Sequence, residues 1–343
     1  MADPNAEVPL PPVERVRPGL WSIPVLIPNN PLRYVLVYAF ETDRGPFLID
    51  AGWNTDDAYQ MLVSGLDVAG FAIEDVQGVL VTHIHPDHYG LAGRIREASG
   101  AWVALHPADA RLIEGRYDDP AELLGLMATM LRRDGTPEDE IVSLQQGSMP
   151  VRPFVWAVTP DILVEDGDKP EVPGWDLTAI WTPGHSPGHL CFYEAGHQLM
   201  LSGDHVLPRI TPNISFHPQA GPDPLGDFLS SLQKVGAYEV AEVLPAHEYR
   251  FLDLPARVAE LTAHHHARFD ELIAGVRGGA TTTWELASHM TWSRSWEQIQ
   301  GFMRRAAVGE TLAHLRYLER LGVLREEVGE PSAWRLVESP ARS

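Results

Sequence analysis

His83, His85, Asp87 and His88 fall within six consecutive positions of the stretch VLVTHIHPDHYG. Imidazole and carboxylate groups are common ligands of divalent transition metals. On extended chain His83 and His85 point the same way, because side chains alternate. Pro86 suits the first turn of a helix, so Asp87 and His88 sit in that turn and aim elsewhere. One loop can therefore offer two ligands to one ion and two to another. The plainer reading, a polar loop between a strand and a helix, gives these side chains no role. Three further residues share the context of His83, each closely following an apolar run: His185 in IWTPGHSPGH, Asp204 in LMLSGDH and His247 in EVLPAHEY. Four strands that end in such side chains would converge on one edge of a layered sheet structure.

The elements that must carry them alternate along the chain. LWSIPVLI, YVLVYAF and PFLIDAGW read as strands, the last two joined by the turn ETDRG. DDAYQMLVSGLDVAG has helical spacing and a closing glycine. VQGVLVTH, GLAGRIREASG and AWVALHP then read as strand, helix and strand, which implies a layered α/β arrangement. Residues 116–148 interrupt it with two helices joined by DGTP, read either as a surface hairpin or as a cap whose Leu and Met side chains line a substrate pocket. DILVEDGD, WDLTAIWT, HLCFYEAG and HQLMLSGD look like strands, and AEVLPAH follows after the helix LGDFLSSLQKVG. The long helix beginning PARVAELTAHHH ends at paired glycines and closes a first unit of residues 16–280. Residues 281–343 read as three helices and a β-wing, a winged-helix-like module, and residues 1–15 as a proline-rich flexible tail.

Composition narrows the function. The net charge of −21 argues against a large nucleic-acid footprint, since phosphate binding needs Lys and Arg. From Thr281 onward there are eight Arg, no Lys and eight Glu, so the excess negative charge belongs to the preceding residues and supports a division into two units. The single cysteine, Cys191, excludes an internal disulfide, fits a reducing compartment and reads as a small core residue. No apolar run is long enough to span a bilayer, and the N-terminus lacks the pattern of a signal peptide, so a cytoplasmic location is expected.

The run His83-Ile-His85-Pro-Asp87-His88 resembles the H-x-H-x-D-H signature of the metallo-β-lactamase fold superfamily, and His185, Asp204 and His247 match its remaining ligands in order. The resemblance covers about residues 15–275 and implies an αββα sandwich. It implies one metal held by His83, His85 and His185, a second by Asp87, His88 and His247, and Asp204 bridging both. Zinc suits such ligands, with manganese or iron as alternatives. A hydroxide shared by the two ions would be the nucleophile, with Asp87 and Asp204 as catalytic carboxylates. Asp50, in LIDAGW, matches the superfamily's early strand-end aspartate, which supports a ligand from behind. His85 replaces the Glu typical of the oxygen-reducing di-iron branch, which disfavours redox chemistry. Asp204 stands where many true β-lactamases have Cys, which disfavours antibiotic cleavage.

Further candidates surround this set. His189 and His205 could orient ligands through a free ring nitrogen or could simply be packed. Tyr89 and Tyr249 could donate to a developing oxyanion, and Arg209, beyond Asp204, could meet an anionic substrate. His264–His266 cannot chelate one ion, since successive helical residues diverge by 100°; a solvated face bearing His266 and Asp270 is expected. The leading reading is a dinuclear hydrolase of a small thioester or lactone, with acyl-CoA, acyl-carrier or glutathione thioesters as substrate classes. Two alternatives use the trailing segment. By resemblance to a superfamily branch with RNA-cleaving members, Arg304, Arg305, Arg316 and Arg320 could meet phosphates; or the segment could bind DNA while the metal unit acts as a sensor. The leucines at 312, 315, 318 and 321 are better suited to packing on the hydrolase or on a second subunit, as in a homodimer.

Overall fold

YVLVYAF shows how this fold is built. In the computed structural model, which describes residues 10–147 and 149–337, Val35, Val37 and Ala39 point to one buried layer and Leu36, Tyr38 and Phe40 to another. Period-two alternation with both faces apolar is the signature of a sheet covered on both sides. The first sheet runs β1 (Glu14–Arg17), β2 (Leu20–Leu26), β3 (Tyr34–Phe40), β4 (Phe47–Ile49), then, after α1 (Asp56–Ala69), β5 (Gly78–Leu80). Helices α2 (Pro86–Tyr89) and α3 (Ala92–Ser99) lead to β6 (Trp102–Leu105). Then α4 (Pro107–Ala110), α5 (Ala121–Arg133) and α6 (Glu138–Gln145) precede the last strand of this sheet, β7 (Ile162–Leu163). Strands β1 to β4 pair antiparallel and β4 to β7 parallel.

The second sheet has the order β11-β10-β9-β8. Its strands are β8 (Leu177–Trp181), β9 (Leu190–Glu194), β10 (Leu199–Gly203) and, after α7 (Pro224–Gly236), β11 (Glu242–Pro245). Leu36, Tyr38, Phe40, Ile49 and Leu80 of the first sheet meet Leu177, Leu190, Phe192, Leu201 and Leu244 of the second in one apolar layer. α1 and α3 cover the outer face of the first sheet through Leu62, Leu66 and Ile95. α7 and α8 (Leu254–Arg277) cover the second through Phe228, Leu232 and Leu261. This is the expected αββα sandwich. Residues 1–9 of the expected tail lie outside the described residues; Glu14 and Arg15, at its end, are paired in β1 with Ser22 and Trp21.

After α8 the chain forms α9 (Thr283–His289), a 3₁₀ turn (Trp296–Gln298), α10 (Gly301–Arg320) and the hairpin β12 (Leu324–Glu327) and β13 (Ala333–Leu336). Two α-helices thus stand where three were expected among the described residues. Leu312, Leu315 and Leu318 pack into the same core as Phe228, Leu232 and Leu261, while Leu321 is exposed. Burial of such a side chain contributes about 1.5–3 kcal/mol, against about 0–1 kcal/mol for a surface ion pair. Apolar packing therefore fixes this segment on the sandwich, and the shift in charge at residue 281 does not coincide with a break in the core. α5 and α6 direct Met127, Leu131, Ile141 and Leu144 against Ala287 and Val308. Their Leu and Met stripe is used for packing on the C-terminal segment.

His266 and Asp270 are exposed, as expected, but His265 is fully buried and its Nδ1 lies 3.0 Å from His314 Nε2 on α10. Burial pulls His314 down to about 4 and His265 to about 2. Both rings stay neutral in the fold and would take protons only on unfolding. A depressed histidine pKa leaves stability intact above about 6.5 and erodes it as pH falls further, at about 1.4 kcal/mol per pH unit per ring. The melting temperature should therefore fall between pH 6.5 and 4. His314→Asn, which keeps a donor for the Glu310 carbonyl (2.7 Å from His314 Nδ1), should flatten that limb. An unchanged slope would assign the acid sensitivity elsewhere.

Candidate metal centre

Each candidate ligand sits just beyond a strand. β5 delivers His83, β8 His185, β10 Asp204 and β11 His247, so the first sheet supplies one side of the cluster and the second the other. Pro86 occupies the first turn of α2, with His85 still extended at φ −64°, ψ 153°. The chain changes from extended to helical between His85 and Asp87, which separates the two pairs of side chains as the sequence implied.

The seven side chains come together. His83 Nε2 lies 2.9 Å from His85 Nδ1. Asp204 Oδ2 is 3.4 Å from His185 Nε2, while its Oδ1 is 3.2 Å from His247 Nε2 and 3.5 Å from His88 Nε2. Asp87 Oδ2 is 3.3 Å from His247 Nε2 and 3.6 Å from His88 Nε2. Ligand-capable atoms gather within 4.8 Å in three sets: His83, His85 and His185; Asp87, His88 and His247; and His83, His88 and Asp204. His88 Nε2, His185 Nε2, His247 Nε2 and Asp204 Oδ1 are buried without a hydrogen-bond partner. Orphaned buried polar atoms are costly, and these four, all on residues of the three sets, fit the presence of a cation. These groups could hold metal.

The opposite ring nitrogens are anchored. His88 Nδ1 meets Asp50 Oδ2 at 2.7 Å, His185 Nδ1 meets the Asn213 carbonyl at 2.9 Å, and His247 Nδ1 meets the Tyr34 carbonyl at 2.9 Å. Each bond sets the tautomer that leaves Nε2 free to coordinate. Asp50, in left-handed backbone at φ 65°, also accepts from the Thr82 amide at 2.8 Å and hydroxyl at 2.9 Å. It supports His88 on the side away from the cluster.

The charges follow from burial and neighbours. Burial, with the surrounding imidazoles, holds His83 and His85 well below the usual histidine range. Burial also lowers His185 more than Asp204 raises it. For His88 and His247 burial is outweighed by the carboxylates: Asp50, Asp87 and Asp204 raise His88 strongly, and Asp204 and Asp87 lift His247 to about 10. Burial likewise fails to raise Asp204, which His247 and His88 hold well below the usual carboxylate range.

The surrounding candidates separate. His189 Nε2 accepts the Asp204 amide at 3.1 Å, so its Nδ1–H faces Thr182 Oγ1 at 2.8 Å. It holds the backbone of Asp204. His205 is buried with its ring edge-on to Phe228 at 5.0 Å between centroids, a packing position. The Tyr89 hydroxyl donates to the Val158 carbonyl and accepts the Val158 amide at 2.8 Å, which corrects its expected role toward an oxyanion: both hydrogen-bonding sides hold a loop. Tyr249 is half exposed. Arg209 is a surface side chain with its Nε 3.9 Å from Glu248 Oε1. Cys191 is a buried free thiol, pushed up to about 12 by burial, as a core residue would be.

Asp109 went unnoticed in the sequence. Its fully buried carboxylate accepts the Ile84 amide (2.9 Å), the Ser186 hydroxyl (2.8 Å) and the Gly188 amide (2.7 Å), tying the His83–His85 loop to the His185 loop. The signal was HPAD after the strand AWVAL, a weaker copy of HPDH after VLVTHI. Asp109→Ala would leave buried donors unpaired, at about 1–3 kcal/mol for each one stranded. A drop of several kcal/mol in urea unfolding is the expected result. Arg116 and Arg305 were not assigned this position either: both charges bear on His217, and Arg116 on His85 as well. A cavity of about 150 Å³ beside the cluster is lined by Trp181, Gly184, His185, His217 and Asp227. A larger one of about 370 Å³, walled by Phe47, Trp102, Ile162 and Leu163, shares no residue with the ligand cluster.

The sequence pattern of the Metallo-beta-lactamase superfamily matches residues 30–247. The chain is 26% identical over 302 residues to the "Lactamase-like protein adaB" of Aspergillus niger, covering 82% of this chain and 75% of that one. It is 25% identical over 300 residues to the "Atrochrysone carboxyl ACP thioesterase dmxR1" of Cryptosporiopsis sp., covering 82% and 74%. The crystal structure of a metallo-beta-lactamase family protein from Thermus thermophilus superposes with a TM-score of 0.81 at 31% identity, covering 94% of this chain and 100% of that one. With that fold and this cluster of histidines and aspartates, the chain belongs to the metallo-β-lactamase superfamily of hydrolases.

Proposed function

We propose that the protein is a dinuclear metal-dependent hydrolase of a small ester-type substrate, an acyl thioester or a lactone. The observation that carries this is the convergence of seven ligand-type side chains, most of them buried, four of which have a buried atom without a hydrogen-bond partner. His83, His85 and His185 would hold one ion and Asp87, His88 and His247 the other, with Asp204 between them. Zinc fits the donor set, and manganese or iron are the alternatives. When bound, the cations would supply Lewis acidity toward the scissile carbonyl and a lowered pKa for water. The chain's own part is to orient: Asp50, Asn213 and Tyr34 fix three rings, and His189 fixes the Asp204 backbone. Asp204 and Asp87 would supply the negative charge that balances the cations.

One further observation supports a small acyl substrate. The similarity to a protein named as an acyl-carrier-protein thioesterase favours a thioester among the ester classes. RNA is a weaker reading, because Arg304, Arg316 and Arg320 are each paired within the chain, to Glu140, Glu326 and Asp223. Zinc- or manganese-loaded protein should hydrolyse some member of a panel of acyl-CoA, acyl-carrier, S-acylglutathione and lactone substrates. Absence of turnover across that panel together with clear RNA cleavage would sink the proposal.

A further inference from the structure

The carbonyl that fixes His185 belongs to Asn213, in the loop between Asp204 and α7. That loop is gripped from α10, about a hundred residues further along the chain. Asn213 Nδ2 donates to Glu310 Oε2 at 2.9 Å. Ser215 Oγ lies 2.7 Å from Asn213 Oδ1 and 3.1 Å from the Ala306 carbonyl. The Phe216 amide donates to the Gly309 carbonyl at 2.9 Å. Gly309 permits this approach: a Cβ there would stand 2.8 Å from Ser215 Oγ and 3.0 Å from the Phe216 carbonyl oxygen.

We propose that Glu310 is a positioning residue for the metal centre, acting through Asn213 on His185, so that the C-terminal segment completes the site. The proposal rests on the reading of His185 as a metal ligand. An acceptor atom at position 310 is what the Asn213 amide requires, and a negative charge is not needed. Burial pushes the Glu310 carboxyl up to about 7, so the neutral side chain is accommodated there. An amide of the same length should therefore substitute and a methyl group should not.

The test is Zn²⁺ affinity by competition with a chromophoric chelator, together with the visible bands of the Co²⁺-loaded protein. Partners of ligating histidines typically control affinity by about 10–100-fold, and Glu310→Ala should lose Zn²⁺ affinity on that scale and shift the Co²⁺ bands. Glu310→Gln should restore both. Thr311→Val serves as the control for helix damage: Thr311 is fully buried on α10 but bonds to the Ala307 carbonyl and Met290 Sδ, so this variant should melt earlier yet bind Zn²⁺ as the parent does. Unchanged affinity and spectrum in Glu310→Ala would overturn the proposal, as would an equal loss in Thr311→Val. If Glu310→Ala does not fold, Asn213→Ala must show the same loss, and parent-like binding by that variant overturns the proposal. A parent protein that binds no Zn²⁺ would instead overturn the reading of the cluster itself.

Discussion

Asp204→Asn is expected to strip the protein of most of its bound metal and to lower kcat/KM by about 10²–10³-fold, equivalent to about 3–4 kcal/mol of transition-state stabilisation. Asp204 is the one carboxylate that faces three of the candidate ligands: Oδ2 toward His185, and Oδ1 toward His88 and His247. An asparagine of the same shape keeps the backbone bond to His189 but removes the charge between two cationic sites and puts a donor at one of the two positions. Metal content by atomic emission and steady-state kinetics on the substrate found by screening would read both effects. Parent-like metal content in the variant would remove Asp204 from the bridging position.

Chelation of the metal-loaded protein should abolish turnover and lower the melting temperature by several degrees without changing the far-UV circular dichroism. A ligand that binds only the folded state stabilises it by about 4 kcal/mol at a thousandfold excess over Kd, which moves the midpoint in this direction. Secondary structure should survive, because the strand ends are held by the protein's own bonds. Asp50 joins Thr82 and His88, and Asp109 joins the loops after β5 and β8. Identical melting curves before and after chelation would show that the centre binds no metal that matters.

The cluster of histidines and aspartates was readable in the sequence because His83, His185, Asp204 and His247 each follow an apolar strand-like run, and strand periodicity is a local signal. The sandwich was readable for the same reason: YVLVYAF and LMLSG carry their two-sided burial within a few residues. What escaped depends on contacts between distant residues. Asn213 and Glu310 are 97 positions apart, and nothing near either one marks the pair. The C-terminal segment looked separable because its charge balance changes at Thr281. Charge balance reports on the surface, whereas Leu312 and Leu315 show that its core belongs to the sandwich. Tyr89 looked chemical because it follows His88 on one turn of helix, yet its hydroxyl is taken by Val158.

The bonds between the helical insertion and the C-terminal segment have a mechanical consequence. Arg133 forks onto Glu326 at 2.9 and 2.8 Å, the Ser332 amide donates to the Arg133 carbonyl, and the Trp284 amide donates to the Asp134 carbonyl. Arg304 adds a pair to Glu140. An outward swing of α5 and α6 would have to break these bonds and open the layer of Leu131, Leu144 and Val308, or else carry α9, α10 and the hairpin along. The insertion is therefore tied to the C-terminal segment, and any displacement of one would carry the other with it.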